Sequence, residues 1–219
     1  MLFRSDFLIK PKDKSDEKAK NTTSFLNELI EKSPNILKGH PINQARAAQN
    51  KRMASHVWFW SGGKRPNIVP FKQKFGLQGS VISAVDLIFG IGIAAGLEPL
   101  HVDGATGLLD TNYEGKVQAA LKSLKEKDYV YLHCEATDEM GHAGDIEKKQ
   151  LALEYFDRRV VQPILAAESE FNHELVIAVL PDHPTPIKIR THTRDPIPFM
   201  VYNPKSSNRI VSNRRLTEK

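Results

Sequence analysis

From Gly79 onward the chain alternates short runs of β-branched and aromatic residues with segments long enough for several helical turns. Residues 79–83 read as a strand and 84–95 as an apolar helix. Strand 100–102 is followed by helix 112–127, and strand 129–133 by a long helix over 145–167. Residues 175–180 read as a buried strand and 199–202 as a last one. Successive strands separated by such helices need crossover connections, and crossovers make parallel pairs. The expected fold is therefore α/β, a mainly parallel sheet with helices on both faces. In such sheets chemistry gathers at the carboxyl ends of the strands. Those ends are Trp60-Ser61-Gly62, Val102-Asp103-Gly104, residues 133–142 and Pro181-Asp182-His183.

The chain before Gly79 has a different texture. Residues 10–20, KPKDKSDEKAK, read as a solvated charge run, a mobile linker or surface loop. Ser24 precedes FLNELIEK, in which Phe25, Leu26, Leu29 and Ile30 fall at helical spacing, and Pro34 is expected to end that helix. Val57-Trp58-Phe59-Trp60 reads as a short aromatic strand, and residues 61–66, SGGKRP, as the turn after it. The shift of composition near residue 70 divides the chain into 1–70 and 71–219.

Charge distribution excludes one class of partner. Residues 1–52 hold 11 Lys/Arg against 6 Asp/Glu, residues 53–203 hold 15 against 19, and residues 204–219 hold 5 against 1. The body is acidic and the basicity sits at the ends, which argues against a nucleic-acid-binding face. The single cysteine, Cys134, excludes an intramolecular disulfide and a Cys-only metal site, and fits a reducing compartment. The most apolar stretch, 81–97, carries Asp86 and the glycines Gly90, Gly92 and Gly96, and is too short to span a bilayer. MLFRSDFLIK has no apolar core of signal-peptide length. The expectation is a cytoplasmic protein with no membrane partner.

Five of the eight histidines fall between residues 133 and 192. Three segments stand out: Asp138-Glu-Met-Gly-His142, Asp182-His183 and Thr191-His192-Thr193. Carboxylate and imidazole form a mixed oxygen and nitrogen donor set suited to Mn²⁺ or Zn²⁺. One such piece is a weak signal; three at the strand ends of one sheet can converge in space. Asp182-His183 between Pro181 and Pro184 fits a turn equally well. His133 reads as a satisfied strand residue and Cys134 as a small buried apolar group. His40, His56, His101 and His173 lack a carboxylate at useful spacing and are left structural. Glu147, Lys148, Lys149, Glu154, Arg158 and Arg159 read as the wet face of the long helix. Lys64 and Arg65, in a glycine turn, offer two cations and backbone amides to a phosphate, or form an ordinary exposed turn.

WFWSGGKRP, GSVISAVDLIFGIGIAAGL, GATGLLDTNYEGK, CEATDEMGHAGD, VLPDHPTP and THTRDPIPF, in this order, resemble the archaeal-type cofactor-independent phosphoglycerate mutases of the alkaline phosphatase superfamily. The match runs from about Ile36 to Tyr202. The resemblance implies an alkaline-phosphatase-like core lacking its first strands, with residues 1–70 as part of a smaller inserted domain. It implies an isomerase that interconverts 3-phosphoglycerate and 2-phosphoglycerate through a metal-assisted phosphoserine or phosphothreonine. It implies two divalent ions, manganese first, with zinc, magnesium or cobalt as alternatives. By position, Asp138, His142 and His192 look like the ligands of one ion, and Asp182 and His183 like half the set of the other. Lys64 and Arg65 look like part of the phosphoglycerate-binding side.

Two departures qualify the match. The family's first segment, which supplies a further Asp ligand and the nucleophile, has no counterpart in residues 1–56, so the nucleophile is expected upstream of Met1. Phe89 stands where the family usually has a basic residue that contacts substrate. The alternatives are a split subunit or non-catalytic remnant needing an N-terminal partner, and a phosphatase of the same superfamily. A homo-oligomer is a further possibility. A homoserine kinase is least favoured, because no G-x-x-x-x-G-K-[ST] loop occurs.

Overall fold

The computed structural model describes residues 8–59, 62–172 and 174–206. Two compact units divide the chain, Met1–Arg65 and Pro66–Lys219.

The first unit holds two helices, α1 (Glu17–Lys38) and α2 (Pro41–Ala48). α1 corrects the sequence reading at both ends. Asp16 caps it by accepting from the amides of Lys18 and Ala19, so the second half of the charge run is helical. Pro34 lies inside α1 and does not end it. A proline cannot donate to the carbonyl four residues back, here Ile30. The Ser33 hydroxyl takes that acceptor instead, at 2.7 Å, while receiving the Val57 amide at 3.1 Å. His40 caps α2, its Nδ1 accepting from the Ile42 amide at 3.3 Å. Val57, Trp58 and Phe59 form no strand; their backbone is irregular, and Trp60 and Ser61 lie outside the described residues.

The second unit opens with α3 (Phe71–Phe75) and then the expected alternation: β1 (Gly79–Ile82), α4 (Asp86–Ala94), β2 (Glu98–Pro99), α5 (Tyr113–Leu124) and β3 (Tyr129–Leu132). The strands pair in parallel in the order β2-β1-β3. The strand expected over 100–102 is displaced to Glu98–Pro99, with Ser80 opposite Glu98 and Val81 opposite Pro99. Neighbouring residues of a strand face opposite ways. Ser80 meets Ser123 of α5, Oγ to Oγ at 2.8 Å, and Val81 meets Gly92 of α4. The two helices therefore cover opposite faces of β1. A Cβ on Gly92 would come within 2.5 Å of Val81 Cγ1, so α4 lies this close to the sheet only because that position has no side chain.

After β3 come α6 (Ala136–Ala143) and α7 (Ile146–Phe156). The uninterrupted helix expected over 145–167 is broken: a π turn, Asp157–Val161, precedes α8 (Gln162–Ala166), and a 3₁₀ turn, Ala167–Phe171, follows. Pro163 supplies the reason, since it removes one helical amide, and the Gln162 amide reaches back to Asp157. Lys149, expected on the wet face, is buried, and Arg159 makes a two-pronged bond to Glu114 at 2.6 and 2.7 Å. Tyr113, Val117 and Val160 form a core cluster, with Leu132, Cys134 and Tyr155 packed around it. The last strands are β4 (Ile177–Val179) and β5 (Met200–Tyr202), an antiparallel pair separate from the parallel sheet. β4 is half-exposed, which corrects the buried strand expected there. Among the described residues no helix is long and apolar enough to cross a membrane.

Candidate metal centre

α6 carries two of the predicted ligands. Asp138 and His142 stand four residues apart, so both project from one side of the helix. The helix itself went unforeseen, because ATDEMGHA has no apolar stripe. β3 leads straight into it: the His133 amide donates to the Ile82 carbonyl at 2.8 Å, extending the parallel pairing by one bond.

The irregular segment after β4 brings the others. His142 Nε2 lies 3.2 Å from Asp138 Oδ2 and 3.0 Å from His192 Nε2, and His192 Nε2 lies 3.5 Å from Asp138 Oδ1. His142 Nδ1 lies 3.0 Å from the Arg190 carbonyl. A carbonyl only accepts, so Nδ1 carries the proton and Nε2 presents its lone pair. Asp182 and His183 form the neighbouring pair, Oδ2 to Nε2 at 3.2 Å. His183 Nδ1 is 3.9 Å from Asp138 Oδ1, and its ring centre is 3.6 Å from that of His192. All five predicted ligands thus meet in one region. Asp138, His183 and His192 also offer donor atoms within 4.8 Å of one another, so the predicted ligand set of one ion adjoins the half-set of the other.

The donor set fits a divalent ion. Ligands at about 2.0–2.2 Å from a first-row ion stand roughly 2.9–3.6 Å from each other, and the separations around Asp138 Oδ1 and Oδ2, His142 and His192 run from 3.0 to 3.5 Å. Glu135, Asp138 and Glu139 crowd together beside it. Burial, then the Glu139 and Asp138 carboxylates, push the Glu135 carboxyl above its ordinary range.

The remaining predicted positions lie elsewhere. His133 is partly buried, its Nδ1 3.2 Å from the Ser83 hydroxyl, and burial lowers its pKa. Phe89 is buried on α4 and packs against His101, the rings tilted by 36° with centres 4.6 Å apart. Lys64 and Arg65 are exposed in irregular backbone of the first unit. His173 lies outside the described residues. Three polar side chains were missed by sequence reasoning. Thr185 is buried and donates to Asp138 Oδ1. Lys149 donates to the Thr185 carbonyl at 2.8 Å. Lys116, fully buried with its pKa lowered by that burial, donates to the His133 carbonyl at 3.1 Å. No spacing rule marks any of them, although Thr185 follows Asp182-His183 within the quoted VLPDHPTP.

A metal-binding α/β protein is the class these features define. The family described as the Metalloenzyme superfamily matches residues 9–218, and the chain belongs to it; membership implies binding of a divalent metal. Over 178 residues the chain is 53% identical to the 2,3-bisphosphoglycerate-independent phosphoglycerate mutase of Methanosarcina mazei, covering 81% of this chain and 45% of that one. A probable 2,3-bisphosphoglycerate-independent phosphoglycerate mutase of Geobacter sulfurreducens is 50% identical over 182 residues, with 83% and 45% covered. The solved structure of PH0037 protein from Pyrococcus horikoshii superposes with a TM-score of 0.70 at 30% identity, covering 85% of this chain and 49% of that one. A cofactor-independent phosphoglycerate mutase from Thermoplasma acidophilum shares the fold at 22% identity and a TM-score of 0.50, with 92% and 46% covered. The chain spans about half the length of the curated relatives it matches.

Proposed function

We propose that the chain is the metal-binding half of a cofactor-independent phosphoglycerate mutase acting on 3-phosphoglycerate and 2-phosphoglycerate. Asp138, His142 and His192 would hold one divalent ion, and Asp182 and His183 would contribute to a second, with manganese the first choice and zinc, magnesium and cobalt the alternatives. Bound there, such ions would offset the charge of a transferring phosphoryl group and lower the pKa of an attacking hydroxyl. The observation that supports this most is the convergence of the α6 donors with His192, at separations of 3.0–3.5 Å. The half-identical mutases are the second support.

The chain's own residues prepare the site. The Arg190 carbonyl holds His142 in the tautomer that presents Nε2. Thr185 engages one oxygen of Asp138. Phe89, packed on His101, brings no charge to the substrate, so cationic recognition of phosphoglycerate falls to other groups, with Lys64 and Arg65 proposed in that role. Residues 1–70 are proposed as part of the smaller inserted domain, residues 71–219 as the metal-binding core, and the cytoplasm as the compartment.

A second reading is a subunit that binds metal yet turns over only with a complementary chain. Calorimetric titration with Mn²⁺ and a coupled assay for 2-phosphoglycerate decide between them. Metal binding with turnover supports the mutase activity, places a nucleophile within this chain and overturns the subunit. Metal binding without turnover supports the subunit. Absence of binding overturns both.

A further inference from the structure

Nothing intrinsic fixes the plane of the Asp138 carboxylate, because the terminal torsion of an aspartate is broad. Within α6 its helical neighbours constrain only the Cα–Cβ direction. Yet the proposed ligand set asks one carboxylate to serve both sides, with Oδ2 3.2 Å from His142 and Oδ1 3.5 Å from His192. A turn of that plane would spoil both separations.

Thr185 is the group that sets it. Its side chain is 2% exposed, and its hydroxyl donates to Asp138 Oδ1. The Thr185 hydroxyl oxygen lies 3.4 Å from His183 Nδ1, so it also faces the neighbouring pair. Threonine is β-branched and stiff about its first side-chain torsion, so its hydroxyl direction is preset by the backbone. Two further features hold that backbone. Lys149 of α7, itself 8% exposed, donates to the Thr185 carbonyl at 2.8 Å. Gly141 of α6 leaves room for the segment to close on the helix, since a Cβ there would lie 2.5 Å from the Thr185 carbonyl oxygen and 2.9 Å from its Cγ2. A buried lysine, a bare helical position and a buried hydroxyl thus converge on one carboxylate.

We propose that Thr185 is a positioning residue for the metal centre, its hydroxyl orienting the Asp138 carboxylate toward the ion. This rests on the reading of Asp138, His142 and His192 as ligands. Groups that hydrogen-bond a ligating carboxylate typically govern 10- to 100-fold of metal affinity, about the range expected here.

The test uses the full chain and Mn²⁺. T185V keeps the shape and deletes the hydroxyl; T185S keeps the hydroxyl. T185V should bind Mn²⁺ about 10- to 100-fold more weakly while its metal-free thermal midpoint stays near that of the unaltered chain. T185S should recover most of the affinity. T185A is a second deletion variant with the same expectation should T185V lose its fold. Equal affinity in T185V and the unaltered chain overturns the role of Thr185 alone, as does loss of fold in both deletion variants with T185S folded. Failure of the unaltered chain to bind Mn²⁺ overturns the ligand reading and this role with it.

Discussion

His142 Nε2 and His192 Nε2 face each other at 3.0 Å, while His142 Nδ1 is committed to the Arg190 carbonyl. His142 Nε2 therefore offers a lone pair, which a proton on His192 Nε2 or a cation can take up. The flanking Asp138 carboxylate, 3.2 Å from His142, adds negative charge to the same point. A divalent ion bound there would also offset the carboxylate charge, which a neutral imidazole proton does not.

H142A and H192A should each weaken Mn²⁺ binding by at least about 100-fold, since each removes one of three proposed donors and outer-shell losses alone reach that size. Calorimetry checks the affinity. Mn²⁺ at about 100 times its dissociation constant should stabilise the unaltered chain by roughly 2.7 kcal/mol, and a chelator should reverse the gain. A midpoint indifferent to Mn²⁺ would contradict the assignment.

Ser33 answers the proline in α1. Its hydroxyl donates to the Ile30 carbonyl that Pro34 cannot reach, and accepts from Val57. S33A should therefore cost about 1–2 kcal/mol, more than a surface serine would, because the hydroxyl is buried and doubly used. Restoring the amide with P34A should recover part of that loss, so the double variant should be more stable than the sum of the two changes. Urea unfolding of the four chains measures the coupling; additive effects would sink this account.

The same two residues show where sequence reasoning reaches its limit. Pro34 carries a strong stop signal, and only the side chain beside it, with a donor free to turn inward, cancels that signal. The parallel sheet was legible because β1, β3 and their helices carry periodic apolar runs. β4 was legible as a strand, but periodicity does not name a partner, and its antiparallel pairing with β5 was not. Asp138 and His142 were legible as donors by type. Their helix was not, although spacing of four residues is itself the signal that would have placed both on one face. Lys149 was misread because charge alone predicts exposure, and only the Thr185 carbonyl explains its burial.

Gly92 sets how close α4 lies to β1. Alanine is the better helix former by up to about 1 kcal/mol. Against that, its Cβ would stand 2.5 Å from Val81 Cγ1, and overpacking of that kind costs about 1–3 kcal/mol. The clash should win, so G92A should destabilise the chain by about 1–2 kcal/mol. In a V81A background the two Cγ atoms are gone and only the Val81 Cβ, 2.9 Å away, remains, so the cost of G92A should shrink in part. A thermal midpoint raised by G92A in the unaltered background would refute the packing argument.

Tyr113 joins the core cluster to the alkaline limit of stability. Its side chain is buried, its hydroxyl has no hydrogen-bond partner among the described residues, and burial pushes its pKa from 10.0 up to about 12. Cys134 adds to the shift, and Arg159, whose guanidinium sits 4.6 Å from the ring centre, opposes it. A raised folded-state pKa means that the folded chain keeps a proton that the unfolded chain has lost. The associated stability is present in full below pH 10 and is lost as the pH rises toward about 12. Unfolding free energy should therefore fall across that window, and Y113F should flatten this part of the profile. Near neutral pH the same substitution should stabilise the chain by about 1 kcal/mol, because it removes a buried hydroxyl that no group among the described residues pairs with. Urea unfolding of both chains at pH 8 and above pH 10 measures both effects. Destabilisation by Y113F near neutral pH would show that the hydroxyl has a partner, and equal alkaline slopes would remove Tyr113 as the source.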